Sequence, residues 1–125
     1  MCWLPNSLLG RIAEGDFAGE IVDPNGCVGF KVGDRVFGAT PSHVSFKTSQ
    51  SALAQYVHGP VETIVHRPES IRVNEASGTP VVAVTARQTL FGVGELYPGQ
   101  GPPINGGSTS VGICAIYDPF EKAIG

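Results

Sequence analysis

The stretch "INGGSTSVG" (residues 104–112) joins two adjacent glycines, three consecutive hydroxyl residues and a third glycine. It is followed by the apolar run "ICAI" (113–116), so the pattern predicts an incoming strand, a glycine turn and an outgoing helix. A nucleotide phosphate binds well where backbone amides open a helix and glycines allow close approach. The spacing G-G-x-x-x-x-G departs from G-x-G-x-x-G, so the pattern alone leaves both a phosphate loop and an ordinary strand-to-helix turn open.

The composition of the whole chain excludes several classes of function. The 125-residue length fits one domain at most, and 17 glycines with 10 prolines favour turns and short strands over long helices. The net charge of −3, without any run of Lys or Arg, argues against nucleic-acid binding and against an anionic membrane surface. The longest apolar stretch, "TPVVAVTA" (79–86), is far shorter than the roughly 20 residues of a membrane span.

The N-terminal region and the cysteines indicate a reducing compartment. "MCWLPNSLLGRIAEG" (1–15) has no basic start and is too short for a signal peptide. Cys2, Cys27 and Cys114 are dispersed, which argues against a disulfide framework and favours small, unreactive apolar side chains. We therefore expect a cytoplasmic location.

The first half of the chain is predicted to be β-rich. "FAGEIVD" (17–23) is a strand that stops at the turn "PNG" (24–26), and "GFKVGDRVFGAT" (29–40) predicts two short strands around a Gly33-Asp34 corner. Alternation predicts a strand in "SALAQYVHG" (51–59), and "ETIVHRP" (62–68) predicts one that ends before Pro68. Strands at this spacing indicate a small barrel or sandwich.

The pattern changes after Pro68. "NEASGTPVVAVTARQTLFGVGEL" (74–96) predicts one or two buried helices, with Asn74 or Thr79 as N-cap and Pro80 in a first helical turn. "YPGQGPPI" (97–104) predicts a turn cluster, and Asp118-Pro119 interrupts the last helix. β-structure followed by a strand, a glycine turn and a helix predicts an α+β chain.

Five fragments in one order carry a family resemblance. They are "DFAGEIV" (16–22), "VGDRVFG" (32–38), "ALAQYV" (52–57), "ASGTPVVAVTARQTLF" (76–91) and "INGGSTSVG" (104–112). In this order they resemble the medium-chain dehydrogenase/reductase superfamily, in its zinc-independent quinone-oxidoreductase and enoyl-reductase branch. "GGSTSVG" and "VTARQTL" are most similar to fungal members, including trans-acting enoyl reductases of polyketide pathways. The resemblance covers roughly residues 15–116.

The resemblance implies a fold and an activity. It implies a partial GroES-like β-barrel over 1–68, a helical cleft segment over 69–98 and the start of a Rossmann domain over 99–125. The implied cofactor is NADP(H), and the implied reaction is hydride transfer to an activated C=C or C=O bond of a small quinone or of an enoyl or acyl substrate. Carried over by motif, the cofactor-binding residues are Gly106, Gly107, Ser108, Thr109, Ser110, Val111, Gly112 and Thr85. The implied substrate-binding residues are Val81, Val84, Thr85 and Gln88, and no residue is assigned as catalytic.

Three of the candidate residues have structural alternatives. The Thr85 hydroxyl could simply bond the preceding helical turn. Asp16 matches the acidic position of "DFAG", where a solvated turn residue without direct chemistry is favoured. Tyr56 is a candidate proton donor, although such a tyrosine more often fills a barrel face.

Zinc is not expected. Gly15 stands where the "GHE" histidine of zinc-containing relatives would lie, and the cysteines do not cluster. His43, His58 and His66 lie in different segments, whereas a zinc site needs three or four converging ligands. His58 and His66 are predicted to be strand residues.

The resemblance is incomplete at both ends. About fifteen unrelated residues precede "DFAG", "PPI" replaces the apolar run of a first Rossmann strand, and a Rossmann domain needs two βαβαβ halves. We therefore expect a poor or inactive oxidoreductase: a fragment, a truncated paralogue or an imperfect gene model. The alternatives are a non-catalytic GroES-like module that associates with a polyketide synthase or a homologous subunit, and a chain without a stable fold. An exposed apolar face on the incomplete barrel would favour self-association.

Overall fold

The computed structural model describes residues 14–97 and 99–117, which fall into two compact units. The first unit runs to Pro80 and the second begins at Val81. The division into segments 1–68, 69–98 and 99–125 stays a prediction. The elements of the first unit are β1 (Asp16–Glu20), β2 (Arg35–Ala39), α1 (Ser42–Thr48), β3 (Ile64–His66) and α2 (Val73–Ala76). Pro80 opens α3 (Pro80–Arg87), and a π-helical segment (Gln88–Val93) and α4 (Ser110–Tyr117) follow it.

The three strands form one antiparallel sheet in the order β1-β2-β3. Phe17 of β1 lies opposite Gly38 of β2, and Phe37 of β2 lies opposite Val65 of β3. A Cβ at Gly38 would lie 2.2 Å from the carbonyl oxygen of Thr63 and 3.2 Å from the Phe17 ring. Glycine is therefore required here, because the chain before β3 and the Phe17 ring both occupy the space of a side chain.

Of the predicted strands, those that form are the ones whose backbone pairs with a neighbouring strand. β1 and β3 confirm the strands predicted within 17–23 and 62–68, and β3 ends before Pro68 after a 3-10 turn at Val61–Thr63. The Gly33-Asp34 corner is confirmed, with Gly33 at a φ of 87°, and β2 is its second arm.

The first of the two strands predicted within 29–40, before the Gly33-Asp34 corner, is wrong, and so is the strand predicted for 51–59. Both segments form turns and bends, because neither pairs with a strand among the described residues. His58 is consequently not a strand residue, whereas His66 is one.

The helix starts agree with the predictions only in part. α3 begins at Pro80 as predicted, which suits a residue without an amide hydrogen. Asn74 is not an N-cap, because it lies inside α2, which Arg72 caps. α1 was not predicted, since its serine, histidine and threonine have only moderate helix propensity.

The glycine turn leads into α4 as predicted, but no strand enters it. Residues 101–104 lack regular structure, because Pro102 and Pro103 have no amide hydrogen to donate to a neighbouring strand. Asp118-Pro119 and Cys2 lie outside the described residues.

The core of the described residues is small, so the helices are less buried than predicted. The buried apolar residues are Val36, Ala76, Ala86 and Leu90, whereas Val81 and Val84 of α3 are about half exposed. The chain is α+β, as predicted, with one small antiparallel sheet and four short α-helices in the described part. No helix in this part is long and apolar enough to cross a membrane.

Candidate functional site

The glycine turn is closed by Thr109, which caps α4. Gly106 has a φ of 84°, in the left-handed region that favours glycine. The amide and the hydroxyl of Thr109 both donate to the carbonyl oxygen of Gly106, at 2.9 and 2.8 Å. The amide of Gly112 donates to Thr109 Oγ1 at 3.1 Å, and the amide of Ile113 donates to the Thr109 carbonyl oxygen at 2.8 Å. Thr109 is thus the N-cap, one of the roles open to the three hydroxyl residues.

The third glycine allows α4 to begin in contact with the turn. Gly112 is buried, and a Cβ there would lie 2.2 Å from the Gly106 carbonyl oxygen and 2.9 Å from the Gly107 Cα. A Cβ at Gly107 would lie 3.2 Å from Ile116 Cδ1. Close packing of a helix on the preceding turn is the role of the third glycine in dinucleotide-binding loops.

The start of α4 presents free donors to solvent. Thr109 satisfies the amide of Gly112, but the amides of Ser110 and Val111 have no acceptor within the described ranges. Ser108 and Ser110 are exposed, and the first turn of α4 contains no acidic residue. Within this described turn, no side-chain counter-charge therefore offsets the partial positive charge of the helix N-terminus. The turn fits an anionic oxygen group such as a phosphate.

The predicted substrate-binding residues share one exposed face of α3 and its π-helical continuation. At about 100° per residue, Val81, Val84, Thr85 and Gln88 fall within roughly 100° of arc. All four are at least partly exposed, whereas Ala86 and Leu90 on the opposite face are buried. The predicted cleft residues are therefore brought together without contributing to the core.

Thr85 adopts its structural alternative. Its hydroxyl donates to the carbonyl oxygen of Val81 at 2.7 Å, a bond that leaves its lone pairs able to accept. Within the described residues no hydrogen bond joins Thr85 to the glycine turn. Its assignment to the cofactor stays a prediction.

An open groove between α3 and α4 was not predicted. It has a volume of about 410 Å³ and is lined by Ala83, Val84, Arg87, Cys114 and Tyr117. The Arg87 guanidinium carbon lies 5.2 Å from the Phe91 ring centroid, within the range of a cation–π contact. The sequence signal for this contact is the i, i+4 spacing of a cation and an aromatic residue.

The other candidate residues lie in the first unit. Asp16 opens β1, and Tyr56 is exposed and lines a cavity of that unit. His66 Nε2 lies 3.0 Å from the Gly29 carbonyl oxygen, and its ring stacks on Phe30 with centroids 4.8 Å apart. These contacts give His66 a structural role in holding the loop before β2.

No three His, Cys, Asp or Glu side chains converge on a possible metal position within residues 14–97 and 99–117. Zinc independence stays a prediction.

The pKa of the Glu75 carboxyl lies below its ordinary value, because the Arg72 side chain donates a hydrogen bond to it. The two residues cap α2, so this lowered pKa indicates a structural pair and not acid–base chemistry.

Comparisons with known proteins agree on one group of enzymes. No protein-family model matches the chain. A mitochondrial NAD(P)H oxidoreductase of Danio rerio is 35% identical over 114 residues, which are 87% of this chain and 27% of the relative. A trans-enoyl reductase of Macrophomina phaseolina is 34% identical over 121 residues, covering 86% of this chain and 34% of the relative.

A solved structure gives the same indication. The chain resembles an alcohol dehydrogenase superfamily protein from Novosphingobium aromaticivorans with a TM-score of 0.76 and 30% identity. The match covers 85% of this chain and 32% of that structure. The chain thus spans about a third or less of the length of each of these three proteins.

Proposed function

Because the chain belongs to the medium-chain dehydrogenase/reductase superfamily, in its enoyl-reductase branch, we propose that it carries part of an NADP(H)-dependent reductase. In this proposal the sheet of the first unit is a portion of a GroES-like barrel. The glycine turn and α4 are the first turn and helix of a Rossmann domain. The observation that carries the proposal is the turn at Gly106, closed by Thr109 and packed on Gly112.

The proposed role of the turn is to bind the cofactor phosphates. The free amides of Ser110 and Val111 would donate to phosphate oxygens, and the exposed hydroxyls of Ser108 and Ser110 would add further donors. The Thr109 hydroxyl is already engaged twice, so its contribution is to fix the shape of the turn. Gly106, Gly107 and Gly112 contribute through close backbone approach.

The proposed role of α3 is to form one wall of the cleft. NADPH, when bound, supplies the hydride for an activated C=C or C=O bond of a quinone or of an enoyl thioester. Val81 and Val84 would exclude water and pack on the apolar part of the substrate, and Gln88 offers an amide for its oxygen. Thr85 can accept a hydrogen bond from the nicotinamide carboxamide while it donates to Val81.

Only a small part of a dinucleotide would contact these residues. A tightly bound ligand usually buries most of its surface, whereas the turn and one helix face provide a single side. We therefore expect weak NADPH binding and little or no turnover by this chain. NADP(H) rather than NAD(H) follows from the family resemblance and is part of the proposal.

The test is a nicotinamide fluorescence titration of the purified chain with NADPH and, separately, with NADH. We expect saturable NADPH binding with a Kd in about the high micromolar to millimolar range, the weak end for a specific ligand. Absence of binding at millimolar NADPH would contradict the phosphate-loop assignment. Absorbance at the NADPH band, followed with a quinone or an enoyl thioester, tests turnover separately. A kcat of about 1 s⁻¹ or more, ordinary for an enzyme, would contradict only the expectation of weak activity.

A second candidate function is association with another polypeptide, without catalysis. The observation that favours it is the outer edge of β1, which has no strand partner within residues 14–97 and 99–117.

A further inference from the structure

An Asn-Gly pair lies in an exposed turn of each unit, Asn25-Gly26 in the first and Asn105-Gly106 in the second. An asparagine side chain that precedes glycine can react with the backbone, because glycine has no Cβ to block the approach of its amide nitrogen. Both glycines have a positive φ, 75° at Gly26 and 84° at Gly106. The two pairs are therefore chemically identical and differ only in their surroundings.

The reaction is the loss of ammonia through a cyclic imide. The glycine amide nitrogen gives up its proton and attacks Cγ of the asparagine. An N–Cγ bond forms, the Cγ–Nδ2 bond breaks, and the side-chain nitrogen leaves as ammonia after it takes up a proton. Water then opens the ring at either carbonyl, which yields aspartate or isoaspartate. The attacking nitrogen is anionic, so nearby charge and freedom of rotation at the asparagine determine the rate.

The backbone around Asn105 is free to form the ring. Within the described residues, the Asn105 side chain and the Gly106 amide have no hydrogen-bond partner, and residues 101–105 make no backbone hydrogen bond. The bonds that close the glycine turn are accepted by the Gly106 carbonyl oxygen, which follows the reacting amide in the chain. Rotation about the ψ angle of Asn105, which ring closure requires, therefore breaks none of these bonds.

The Asn25-Gly26 pair is held at both ends. The Asn25 amide donates to Asp23 Oδ1 at 2.8 Å. The Cys27 amide donates to the Pro24 carbonyl oxygen, also at 2.8 Å, and so closes a turn around the pair. Ring closure at Asn25 therefore has to disturb hydrogen bonds that have no counterpart at Asn105.

Charge also favours the reaction at Asn105. The Gly106 carbonyl oxygen accepts two bonds from Thr109, the N-cap of α4, so Gly106 lies at the positive end of that helix, where an anion is stabilised. The first turn of α4 contains no acidic residue to oppose this effect. Beside Asn25, in contrast, the Asp23 carboxylate repels an anionic nitrogen.

We propose that Asn105 is a site of spontaneous deamidation, which converts the residue before the glycine turn into aspartate or isoaspartate as the protein ages. Either product carries a carboxylate, and its Cα lies about 3.8 Å from that of Gly106. Isoaspartate also lengthens the backbone by a methylene group at the entrance of the turn. The modification stands on its own, whereas its effect on NADPH rests on the proposed phosphate role of the turn.

The test incubates the full chain at mildly alkaline pH and quantifies deamidation at each site by peptide mapping with mass spectrometry. Each rate is divided by the rate of the same site in the chain unfolded in guanidinium chloride, which removes the influence of the neighbouring sequence. The normalised rate at Asn105 should exceed that at Asn25 by about threefold or more, because of the helix N-terminus and the Asp23 carboxylate. Equal normalised rates, or a faster reaction at Asn25, would overturn the proposal.

A pair of variants tests the electrostatic cause. Ser110→Asp places a carboxylate at the first residue of α4 and should slow deamidation of Asn105 by about threefold or more. Ser110→Ala adds no charge and should change this rate by less than about twofold. Neither variant should alter the rate at Asn25. Equal rates at Asn105 in the two variants would overturn the assignment of the helix N-terminus as the cause.

NADPH binding separates the modification from its consequence. The aged parent should bind NADPH about twofold to threefold more weakly than fresh protein, because a new negative charge lies within a Debye length of the turn. Asn105→Gln, whose longer side chain does not favour the ring, should keep its affinity through the same incubation. An equal loss in this variant would contradict the consequence. Fresh protein that does not bind NADPH would contradict the proposed function, while the mapped rates would still decide the modification.

Discussion

Replacing Gly112 by alanine tests the role of the third glycine. Its new Cβ would lie 2.2 Å from the Gly106 carbonyl oxygen, whereas real Cβ atoms keep at least 3.0 Å from such atoms. The difference, 3.0 minus 2.2, requires the turn to move by about 0.8 Å relative to α4. The obstructing atoms belong to the backbone, so no side-chain rotation can relieve the contact.

The expected loss of stability combines three effects. Overpacking of this size costs about 1–3 kcal/mol. Displacement of the turn also weakens the bonds that Thr109 donates to the Gly106 carbonyl and the capping bond that it accepts from the Gly112 amide, and the loss of an N-cap costs about 1 kcal/mol. Alanine in place of glycine in a helix offsets about 0.5–1 kcal/mol. The net destabilisation is about 1–3.5 kcal/mol, or a Tm decrease of about 4–14 °C for a chain of this size.

The assay is a thermal melt followed by circular dichroism, together with the NADPH titration. Gly92→Ala is the matched control, because Gly92 lies in the π-helical segment and nothing lies within 4 Å of the position that its new Cβ would take. This variant should be neutral or more stable by about 0.5–1 kcal/mol, with unchanged affinity. Gly112→Ala should bind NADPH at least about tenfold more weakly, since the amides of Ser110 and Val111 move with the turn.

Two results would refute this reasoning. If Gly112→Ala melts at or above the parent temperature, the Gly106 carbonyl oxygen does not lie as close as 2.2 Å to the position of the new Cβ. If it is destabilised yet binds NADPH as tightly as the parent, the turn does not bind the phosphates. The first result concerns the fold of the turn, and the second concerns its proposed function.

Three further predictions, each based on one or two substitutions, separate structural from functional roles. Ser110→Asp and Ser42→Asp each add a carboxylate at the first residue of a helix and should stabilise that helix by about 0.3–1 kcal/mol. Only Ser110→Asp should weaken NADPH binding, by about fivefold or more, because its charge would lie beside the phosphates. Equal NADPH affinities of the two variants would contradict the phosphate site. Gly38→Ala should destabilise the sheet by about 1–3 kcal/mol in a chemical melt, while Gly19→Ala, with nothing within 4 Å of its Cβ, should be tolerated. The pKa of Glu75 is lowered by its arginine partner, so the contribution of this pair is present above a pH of about 4.5 and is lost as the pH falls through the lower folded-state pKa. Glu75→Gln should flatten that acid dependence in urea melts, and an unchanged profile would contradict the ion pair.

Local signals in the sequence were sufficient for the turns and for two helix starts. Gly33 and Gly106 both adopt the positive φ that glycine favours, and Pro80 opens α3 because its missing amide hydrogen costs nothing at that position. The hydroxyl residues after Gly107 predicted a cap, and the structure assigns it to Thr109.

Features that depend on distant partners could not be predicted. Residues 51–59 have a strand-like alternation, yet among the described residues they form no strand, and of their backbone amides only that of Ala52 bonds beside β1, to the Glu14 carbonyl oxygen at 3.1 Å. The same reason explains why Gly38 was not singled out: its requirement arises from the Thr63 carbonyl, which is far away in sequence. The groove lined by Arg87 and Tyr117 likewise has walls from α3 and α4, which are distant in sequence, so no local pattern indicates it.

The difference in burial between the two faces of α3 determines which of its residues can be substituted without loss of folding. Ala86 and Leu90 are buried, whereas Val81, Val84, Thr85 and Gln88 are at least partly exposed on the other side. Substitutions at exposed positions usually change stability by less than about 0.5 kcal/mol. A combinatorial library at these four positions should therefore retain folding in most of its members. Under the proposed role of this face as a cleft wall, such a library would vary the ligand contacts with little need for compensating mutations in the core.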